Sequence, residues 1–226
     1  MPAGVWAVLV AAGRGERLGE ERPKAFARLG ELPLLAEPLR RLDESEWIDA
    51  IVVVTPSGWE EPAILLAEEI GATKVTACVA GGDSRSSSVR AGIAEVPEDA
   101  AVILVHDAAR PILPPEVVPR LLDALGEGFD GAVPGLPVAD TVKRVRDGLV
   151  VETPARDELV AVQTPQAFVA EVLRAAAAGE GSDCASLVEA AGGRVKVVPG
   201  DERLLKVTTP ADLARAEALL AAELRR

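Results

Sequence analysis

A glycine-rich segment that carries three cationic side chains follows the first apolar run of the sequence. The run is Val5–Val10, and after it come Ala11, Ala12, Gly13, Arg14, Gly15, Arg17, Gly19 and Lys24. Glycine lets a backbone turn sharply and bring its N–H groups against a phosphate chain, while arginine and lysine add positive charge. The pattern predicts a nucleotide site. The alternative is a glycine-rich turn between a strand and a helix whose charges are solvated.

The charge of residues 11–28 differs from that of the whole chain. The protein has a net charge of −12, whereas this segment holds five cations and three acids. A basic island in an acidic protein suits a small anion, but a polynucleotide needs many phosphate contacts and often aromatic stacking. The chain has no tyrosine, three tryptophans and three phenylalanines. We therefore expect it to bind no nucleic acid.

A second polar segment follows the apolar run Val75–Val79. It reads Gly81-Gly82-Asp83-Ser84-Arg85-Ser86-Ser87-Ser88. Paired glycines allow close backbone approach, and hydroxyl groups can match the edge of a nucleobase. The alternative role for the serines is capping of the helix that follows.

A third polar segment, His106-Asp107-Ala108-Ala109-Arg110-Pro111, follows the apolar run Ala101–Val105. An aspartate at the end of a buried strand is well placed to hold Mg²⁺ or a substrate hydroxyl. The alternative is a structural ion pair between Asp107 and Arg110. For His106, we expect a packed or hydrogen-bonded side chain with no catalytic role.

Metal, redox and membrane chemistry are constrained by composition. Cys78 and Cys184 match no zinc spacing and His106 is the only histidine, so a metal would be held by carboxylates and substrate phosphates, which favours Mg²⁺. No apolar stretch reaches the ~18 residues of a membrane span, and the start lacks a signal-peptide pattern. We expect a cytoplasmic protein with no membrane partner. The absence of asparagine suggests a thermophilic source, although a GC-rich genome would give part of the same bias.

Apolar runs of strand length alternate with stretches of helical spacing, which predicts an α/β fold with a mainly parallel sheet flanked by helices. The predicted strands are Val5–Val10, Ala50–Val54, Val75–Val79, Ala101–Val105, Gly131–Val133 and Arg194–Val198. The predicted helices are Leu34–Leu42, Glu60–Ile70, Ser86–Ile93, Pro115–Leu125 and Phe168–Ala178, and a last helix begins at Pro210 after the N-cap Thr209. Ligands of such a sheet bind at the carboxyl ends of its strands.

One segment breaks this alternation. Thr141–Arg146 is joined by Asp147-Gly148 to Leu149–Val151, a strong hairpin pattern. A two-stranded ribbon is only marginally stable alone, so we expect it to pack on something else, such as a second subunit.

The three polar segments, in this order, resemble the 2-C-methyl-D-erythritol 4-phosphate cytidylyltransferases of the non-mevalonate isoprenoid route. The resemblance spans nearly the whole chain. It is carried by Ala11-Ala12-Gly13 through Pro23-Lys24, Gly81-Gly82-Asp83 with Ser88, Val105 to Pro111, Asp140-Thr141, Arg156, Thr164-Pro165-Gln166 and Leu205-Lys206-Val207-Thr208. It implies one Rossmann-like nucleotidyltransferase domain over residues 1–226, with a dimer-forming β-hairpin arm at residues 135–157. It also implies that CTP and the polyol phosphate yield 4-diphosphocytidyl-2-C-methyl-D-erythritol and pyrophosphate, with Mg²⁺ held mainly by the phosphates of CTP.

The resemblance also implies roles for single residues. Cytidine would be recognised by Ala11, Ala12, Gly82, Asp83 and Ser88, and the triphosphate would lie along Gly13 and Gly15. Arg17 and Lys24 would stabilise the transition state at the α-phosphate. Methylerythritol phosphate would be bound by Asp107, Arg110, Thr164 and Lys206, joined by Thr141 and Arg156 of the neighbouring subunit. Cys184 departs from the family pattern, which commonly has an acidic residue at this position, and Gln163 receives no role.

Other functions stay open at this point. A related nucleotidyltransferase acting on ribitol 5-phosphate or a sugar 1-phosphate would share the phosphate loop. A dinucleotide-binding dehydrogenase would need a third glycine at the G-x-G-x-x-G spacing and an acidic residue after the second strand, which instead ends Val54-Thr55-Pro56. A non-catalytic nucleotide sensor would release no pyrophosphate with any acceptor.

Overall fold

A computed structural model describes residues 4–13, 22–179, 181–223 and 225. Its strands are β1 (Val5–Val10), β2 (Arg28–Leu29), β3 (Leu32–Pro33), β4 (Ala50–Thr55), β5 (Val75–Ala80), β6 (Val102–Asp107), β7 (Gly131–Pro137), β8 (Arg144–Arg146), β9 (Leu149–Glu152), β10 (Val160–Val162), β11 (Gln166–Val169) and β12 (Val195–Pro199). Its helices are α1 (Ala36–Glu44), α2 (Glu60–Glu69), α3 (Arg85–Ala94), α4 (Val117–Gly126), α5 (Ala170–Ala176), α6 (Cys184–Ala190) and α7 (Pro210–Glu223). Short 3₁₀ helices cover Lys24–Phe26 and Arg156–Glu158.

The central sheet is mostly parallel, as predicted. Within the described residues it has eight strands in the order β10-β7-β11-β6-β1-β4-β5, with β12 paired to β7. The pairs β6–β1, β1–β4, β4–β5 and β7–β12 are parallel. Strands β10 and β11 run antiparallel to their neighbours. From β1 the chain proceeds to β4 and β5 on one side and then returns to β6 on the other, so the strand order reverses between β1 and β6.

Helices cover both faces of the sheet at β1, β4 and β6, and alternate side chains of each strand point to opposite faces. From β1, Leu9 joins the core under α1, α2 and α4, whereas Val8 joins the core under α3, α5 and α6. In β4, Val53 belongs to the same core as Leu9, and Val54 belongs to the same core as Val8. Continuous Val/Ile/Leu runs therefore form these strands, since neither face can accept polar residues.

The predicted helix Phe168–Ala178 is wrong at its start. Residues 166–169 form β11, which pairs with β6 and β7, and helix α5 begins at Ala170. The ring of Phe168 is fully buried, and a Cβ on Gly131 would lie 2.6 Å from its Cδ1 atom. A glycine in β7 therefore provides room for this ring, an arrangement that helical spacing cannot reveal. Strand β10 and helix α6 also had no predicted counterpart.

The C-terminal helix begins as predicted. The Thr209 hydroxyl accepts from the backbone N–H of Asp212, and the Asp212 carboxylate accepts from Thr208 and Thr209. These hydrogen bonds hold the pKa of Asp212 well below its usual value. Along α7, Ala216 packs with Leu29 and Leu34 in a small apolar cluster. No helix in the described part of the chain is long and apolar enough to cross a membrane.

The predicted hairpin is also observed. Strands β8 and β9 are antiparallel and joined at Asp147 and Gly148, both of which have positive φ, as a two-residue type I′ turn requires. Every residue of the two strands is exposed. We refer to residues 135–157 as the arm.

Candidate active site

The three polar segments converge because they follow neighbouring parallel strands. Val10, the last residue of β1, is in register with Val54 of β4 and Asp107 of β6. Thr55 of β4 is in register with Ala80 of β5. A cavity of about 300 Å³ lies at this edge, beside the reversal of strand order. It is lined by Val10, Ala11, Ala12, Gly13, Lys24, Ala25, Leu34, Gly82, Asp83, Ser84, Arg85, Ser88, Asp107, Ala108, Ala109 and Lys206.

One side of the cavity depends on close backbone packing after β1 and β5. The N–H of Ala11 donates to the Val54 carbonyl at 2.7 Å, and the N–H of Gly81 donates to the Thr55 carbonyl at 2.7 Å. A Cβ on Gly81 would lie 2.5 Å from the Cβ of Ala12. Glycine is thus required for these two loops to approach each other. Ala11, Ala12, Gly82, Asp83 and Ser88, the residues predicted to recognise cytidine, all line the cavity.

The serines of the second segment begin helix α3. Ser84 is the N-cap and forms a capping box with Ser87, as the capping alternative predicted. The Ser88 hydroxyl donates to the Ser84 carbonyl at 2.9 Å and is buried. Helix α3 therefore starts at the cavity, where its N-terminal dipole favours an anion.

Of the residues predicted to contact the phosphates of the nucleotide, the structure describes Gly13 and Lys24. A Cβ on Gly13 would meet no atom of the described residues within 4 Å. Lys24 begins the 3₁₀ helix, whose Phe26 is buried against Trp59 with ring centroids 4.5 Å apart. Backbone hydrogen bonds from Leu34 to Ala27 and from Leu35 to Ala25 fix this turn. Gly15 and Arg17 lie outside the described residues.

Asp107 is the centre of a charged cluster. Its Oδ1 accepts from Nε and Nη2 of Arg85 at 3.3 and 3.1 Å, and its Oδ2 accepts from Nζ of Lys206 at 2.7 Å. Burial alone would raise the pKa of Asp107, but the charges of Arg85 and Lys206 hold it well below its usual value. The carboxylate is therefore ionised and fixed by two cations.

Thr164 and His106 form a buried support beneath Asp107. The Thr164 hydroxyl accepts from the Asp107 N–H at 3.0 Å and lies 3.1 Å from Nδ1 of His106. Nε2 of His106 lies 3.1 Å from the Arg110 carbonyl. Burial lowers the pKa of His106 to about 4. A neutral imidazole that donates from Nε2 and accepts at Nδ1 satisfies all three groups, so His106 is hydrogen-bonded and packed, as predicted.

Arg110 attaches a distant segment to the site. Its Nη1 donates to the Leu204 carbonyl, and the N–H of Val207 donates to the Ala109 carbonyl at 2.8 Å. These contacts place Lys206 beside Asp107. The alternative of an Asp107–Arg110 ion pair is wrong, because the ion-pair partners of Asp107 in the described part of the chain are Arg85 and Lys206.

Two predicted acceptor residues lie on the arm rather than in the cavity. Thr141 and Arg156 are exposed, and Nη1 of Arg156 donates to the Ala139 carbonyl at 2.9 Å. Neither residue lines the cavity of this chain. The single chain therefore brings together Asp107, Thr164 and Lys206, but not the arm residues.

Arg85 is a site residue that sequence reasoning missed. Nη1 of Arg85 lies 3.8 Å from Sγ of Cys184, which is buried at the start of α6. Burial raises the pKa of the Cys184 thiol to about 11, so it is neutral. Arg85 lies 22 residues from Asp107 and 99 from Cys184. Only the position of Arg85 inside the Gly81–Ser88 segment pointed to it.

The described residues do not fit a resident metal ion. No group of three His, Cys, Asp or Glu side chains among them could hold one. Asp107, which the sequence offered as a Mg²⁺ ligand, already has a cation on each carboxylate oxygen. A metal at this site would therefore depend on oxygen atoms of a bound phosphate substrate.

A mostly parallel sheet flanked by helices, with a cation-bearing cavity at its carboxyl edge, defines a Rossmann-like nucleotide-binding protein. A profile of the 2-C-methyl-D-erythritol 4-phosphate cytidylyltransferase family matches residues 5–222, and the chain belongs to this family.

Relatives that carry this name match the chain over nearly its full length. The protein from Nocardia farcinica is 46% identical over 219 residues, which cover 96% of this chain and 94% of the relative. The protein from Rubrobacter xylanophilus is 40% identical, covering 99% and 98%. The crystal structure of the enzyme of the same name from Thermus thermophilus is similar, with a TM-score of 0.77 and 33% identity over 95% of this chain and 98% of that chain. The predicted family, fold class and CTP-dependent cytidylyltransferase activity are confirmed.

Proposed function

We propose that the cavity at the carboxyl edge is where this chain transfers the cytidylyl group of CTP to 2-C-methyl-D-erythritol 4-phosphate, releasing pyrophosphate. The observation that carries this proposal is the convergence of the segments after β1, β5 and β6 on one cavity. Cytidine would lie against Ala11, Ala12 and the Gly82–Ser88 turn, because small residues there allow close approach to backbone groups. The triphosphate would extend along Gly13 and Gly15.

The reaction is an in-line substitution at phosphorus. A phosphate oxygen of the polyol substrate forms a bond to the α-phosphorus of CTP, and the bond from that phosphorus to the bridging oxygen of pyrophosphate breaks. Charge grows on the equatorial oxygens, where Lys24 and Arg17 would stabilise it. A lysine about 4 Å away contributes about 4 kcal/mol at an effective dielectric constant of 20.

The attacking phosphate is already ionised at neutral pH, so the reaction needs neither a protein nucleophile nor a general base. This fits the only histidine of the chain, which is buried and neutral. Mg²⁺ would enter with CTP as part of the substrate, because the described residues form no metal site of their own.

The acceptor would bind at the cluster around Asp107. The Lys206 side chain is 43% exposed, so its ammonium can meet a phosphate while it pairs with Asp107. The Asp107 carboxylate can accept from substrate hydroxyls with its remaining lone pairs. Thr164 would hold the Asp107 backbone, and Arg110 would hold the Lys206 segment, through the hydrogen bonds described above.

A second subunit would complete the acceptor site. Val145, Leu149, Val150 and Val151 of the arm are each more than half exposed, an apolar surface that a second copy of the arm region can cover. In such a homodimer, Thr141 and Arg156 of one subunit would reach the acceptor in its partner. The arm at 135–157, the cytoplasmic location and the thermophilic source stay predictions.

Pyrophosphate release tests the proposed function directly. Each of the four nucleoside triphosphates is supplied with Mg²⁺ and either methylerythritol phosphate, ribitol 5-phosphate or a sugar 1-phosphate. We expect release with CTP and methylerythritol phosphate far above every other pair. Faster release with ribitol 5-phosphate or a sugar 1-phosphate would reassign the substrate, and no release with any pair would contradict an enzymatic role.

A further inference from the structure

Arg85 connects the nucleotide side of the cavity with the acceptor side. It is the first residue of α3, directly after the Gly81–Ser84 turn, and it lines the cavity. Its guanidinium crosses to the end of β6 and donates from Nε and Nη2 to the same Oδ1 atom of Asp107. Together with the Lys206 ammonium on Oδ2, these two donors fix the orientation of the carboxylate.

Arg85 also affects how much positive charge Lys206 can offer to a bound anion. Asp107 carries one negative charge and has two cationic partners, so the three side chains together carry a net charge of +1. The Arg85 side chain is 27% exposed and that of Lys206 is 43% exposed. Lys206 is therefore the more accessible of the two cations, and an anion would meet the surplus positive charge mainly at its ammonium group.

The second side-chain partner of Arg85, Cys184, does not remove this surplus. Cys184 contacts Nη1 through sulfur, and its buried thiol is neutral. A thiol is a weak acceptor and compensates no charge. The cluster therefore keeps its surplus charge. An acidic residue at position 184, which the family commonly has, would offset it.

We propose that Arg85 is a positioning residue for the acceptor phosphate, a role that rests on the proposed function. It orients Asp107 from the Oδ1 side and shares the charge of that carboxylate, which keeps the Lys206 ammonium available to the phosphate. Without Arg85, Lys206 would be the one ion-pair partner of Asp107 among the described residues, this pair would be neutral, and its attraction for a phosphate would fall.

The test is a comparison of steady-state kinetics for Arg85→Gln, Arg85→Lys and the wild-type protein. Glutamine keeps hydrogen-bond donors but removes the charge. We expect Arg85→Gln to raise the KM for methylerythritol phosphate by about tenfold, the change for about 1.4 kcal/mol, with less than about a threefold change in the KM for CTP. Arg85→Lys restores the charge without the two-donor contact, and we expect an intermediate KM.

Two matched variants separate positioning from folding. Arg90→Gln removes an arginine of the same helix that donates to the carbonyls of Ala177 and Gly179, and Cys184→Ala removes the thiol contact while leaving the ion pair. We expect both variants to keep the wild-type KM for methylerythritol phosphate. Equal increases in both KM values for Arg85→Gln, or the same acceptor effect in Arg90→Gln, would overturn the proposal.

A double-mutant cycle with Lys206 remains informative even where single variants lose stability. Because Arg85 acts through Lys206, Arg85→Gln should change the acceptor KM by less than about twofold in the Lys206→Gln background. Independent, multiplying effects would overturn the proposal. Wild-type turnover in the same assay distinguishes this failure from a failure of the proposed function, which would leave the wild-type protein itself without activity.

Discussion

The cavity at the carboxyl edge and the arm are built in opposite ways. At the cavity, Asp107 is 7% exposed, its side chain has two cationic partners, and its backbone is held by Thr164. On the arm, every residue of β8 and β9 is exposed, and the ion pair between Arg144 and Glu152 lies at the surface. One chain is enough to order the first region, whereas the second leaves its apolar side chains in water.

This difference indicates which region a single chain can order by itself and which region needs a second surface. Preorganised charges stabilise a transition state because they need no rearrangement when charge develops. An exposed two-stranded ribbon gains comparable order only when another surface covers it. Under the proposed function, a single chain binds the nucleotide and two chains together bind the acceptor. The following predictions test that division, from the largest effect to the smallest.

Lys24→Ala should lower kcat by about 10²–10³-fold, the usual cost of losing one preorganised charge stabiliser. The matched control is Lys196→Ala, which removes a lysine paired with Glu127 on the surface. Steady-state kinetics with CTP and methylerythritol phosphate check both. Near-normal kcat in Lys24→Ala would remove the cavity from the chemical step.

Asp107→Ala should lower the free energy of unfolding by about 3 kcal/mol, because the partly buried guanidinium of Arg85 and the ammonium of Lys206 lose their counterion. On the arm, Glu152→Ala breaks an exposed ion pair and should cost less than about 0.5 kcal/mol. Denaturant unfolding of both variants measures the contrast. Equal losses would show that the two regions do not differ as described.

The stability of the cavity region should depend on pH through His106. Its pKa is lowered from 6.5 to about 4 in the folded protein, so the unfolded chain binds the proton more readily. The stabilisation is complete above pH 6.5 and is lost as the pH falls through about 4, by about 3 kcal/mol in total. Unfolding free energies from pH 7 to 4 check this, with His106→Gln as the reference. An equally steep decline in that variant would contradict the assignment.

Leu149→Asp should weaken association of two chains while changing the stability of the separate chain by no more than about 0.5 kcal/mol, because Leu149 is exposed within the chain. Analytical ultracentrifugation measures the first effect and denaturant unfolding the second. Thr153→Asp places the same charge on an exposed residue just beyond β9 and serves as a comparison. Unchanged association in Leu149→Asp would argue against the arm as the interface.

Sequence patterns predicted the strands that carry the site because each is a continuous apolar run, and β1 and β6 are largely buried on both faces. The runs ending at Val10, Ala80 and Asp107 could therefore be located within two residues of their ends. The hairpin was equally clear, since Asp147-Gly148 satisfies a turn with positive φ. Patterns of this kind are local and do not depend on distant residues.

The parts that were missed depend on contacts between distant residues. Strand β11 is short, and Phe168 fits both a helix and a strand until Gly131 is known to face it. Asp107 pairs with Arg85, and not with Arg110, because β5 and β6 end at the same edge of the sheet. The spacing within each segment contains no information about such a pair.

Complementation of two impaired variants tests most directly whether each acceptor site is divided between two chains, as we propose. Lys24→Ala has a defective cavity and an intact arm, whereas Arg156→Ala has an intact cavity and a defective arm. When equal amounts are co-expressed, half of the dimers are mixed and each contains one complete site, so we predict about a quarter of wild-type activity. As a control, Lys24→Ala with Lys206→Ala alters the cavity in both chains and should give no recovery. Recovery in the control as well, or no recovery with Arg156→Ala, would contradict the divided site.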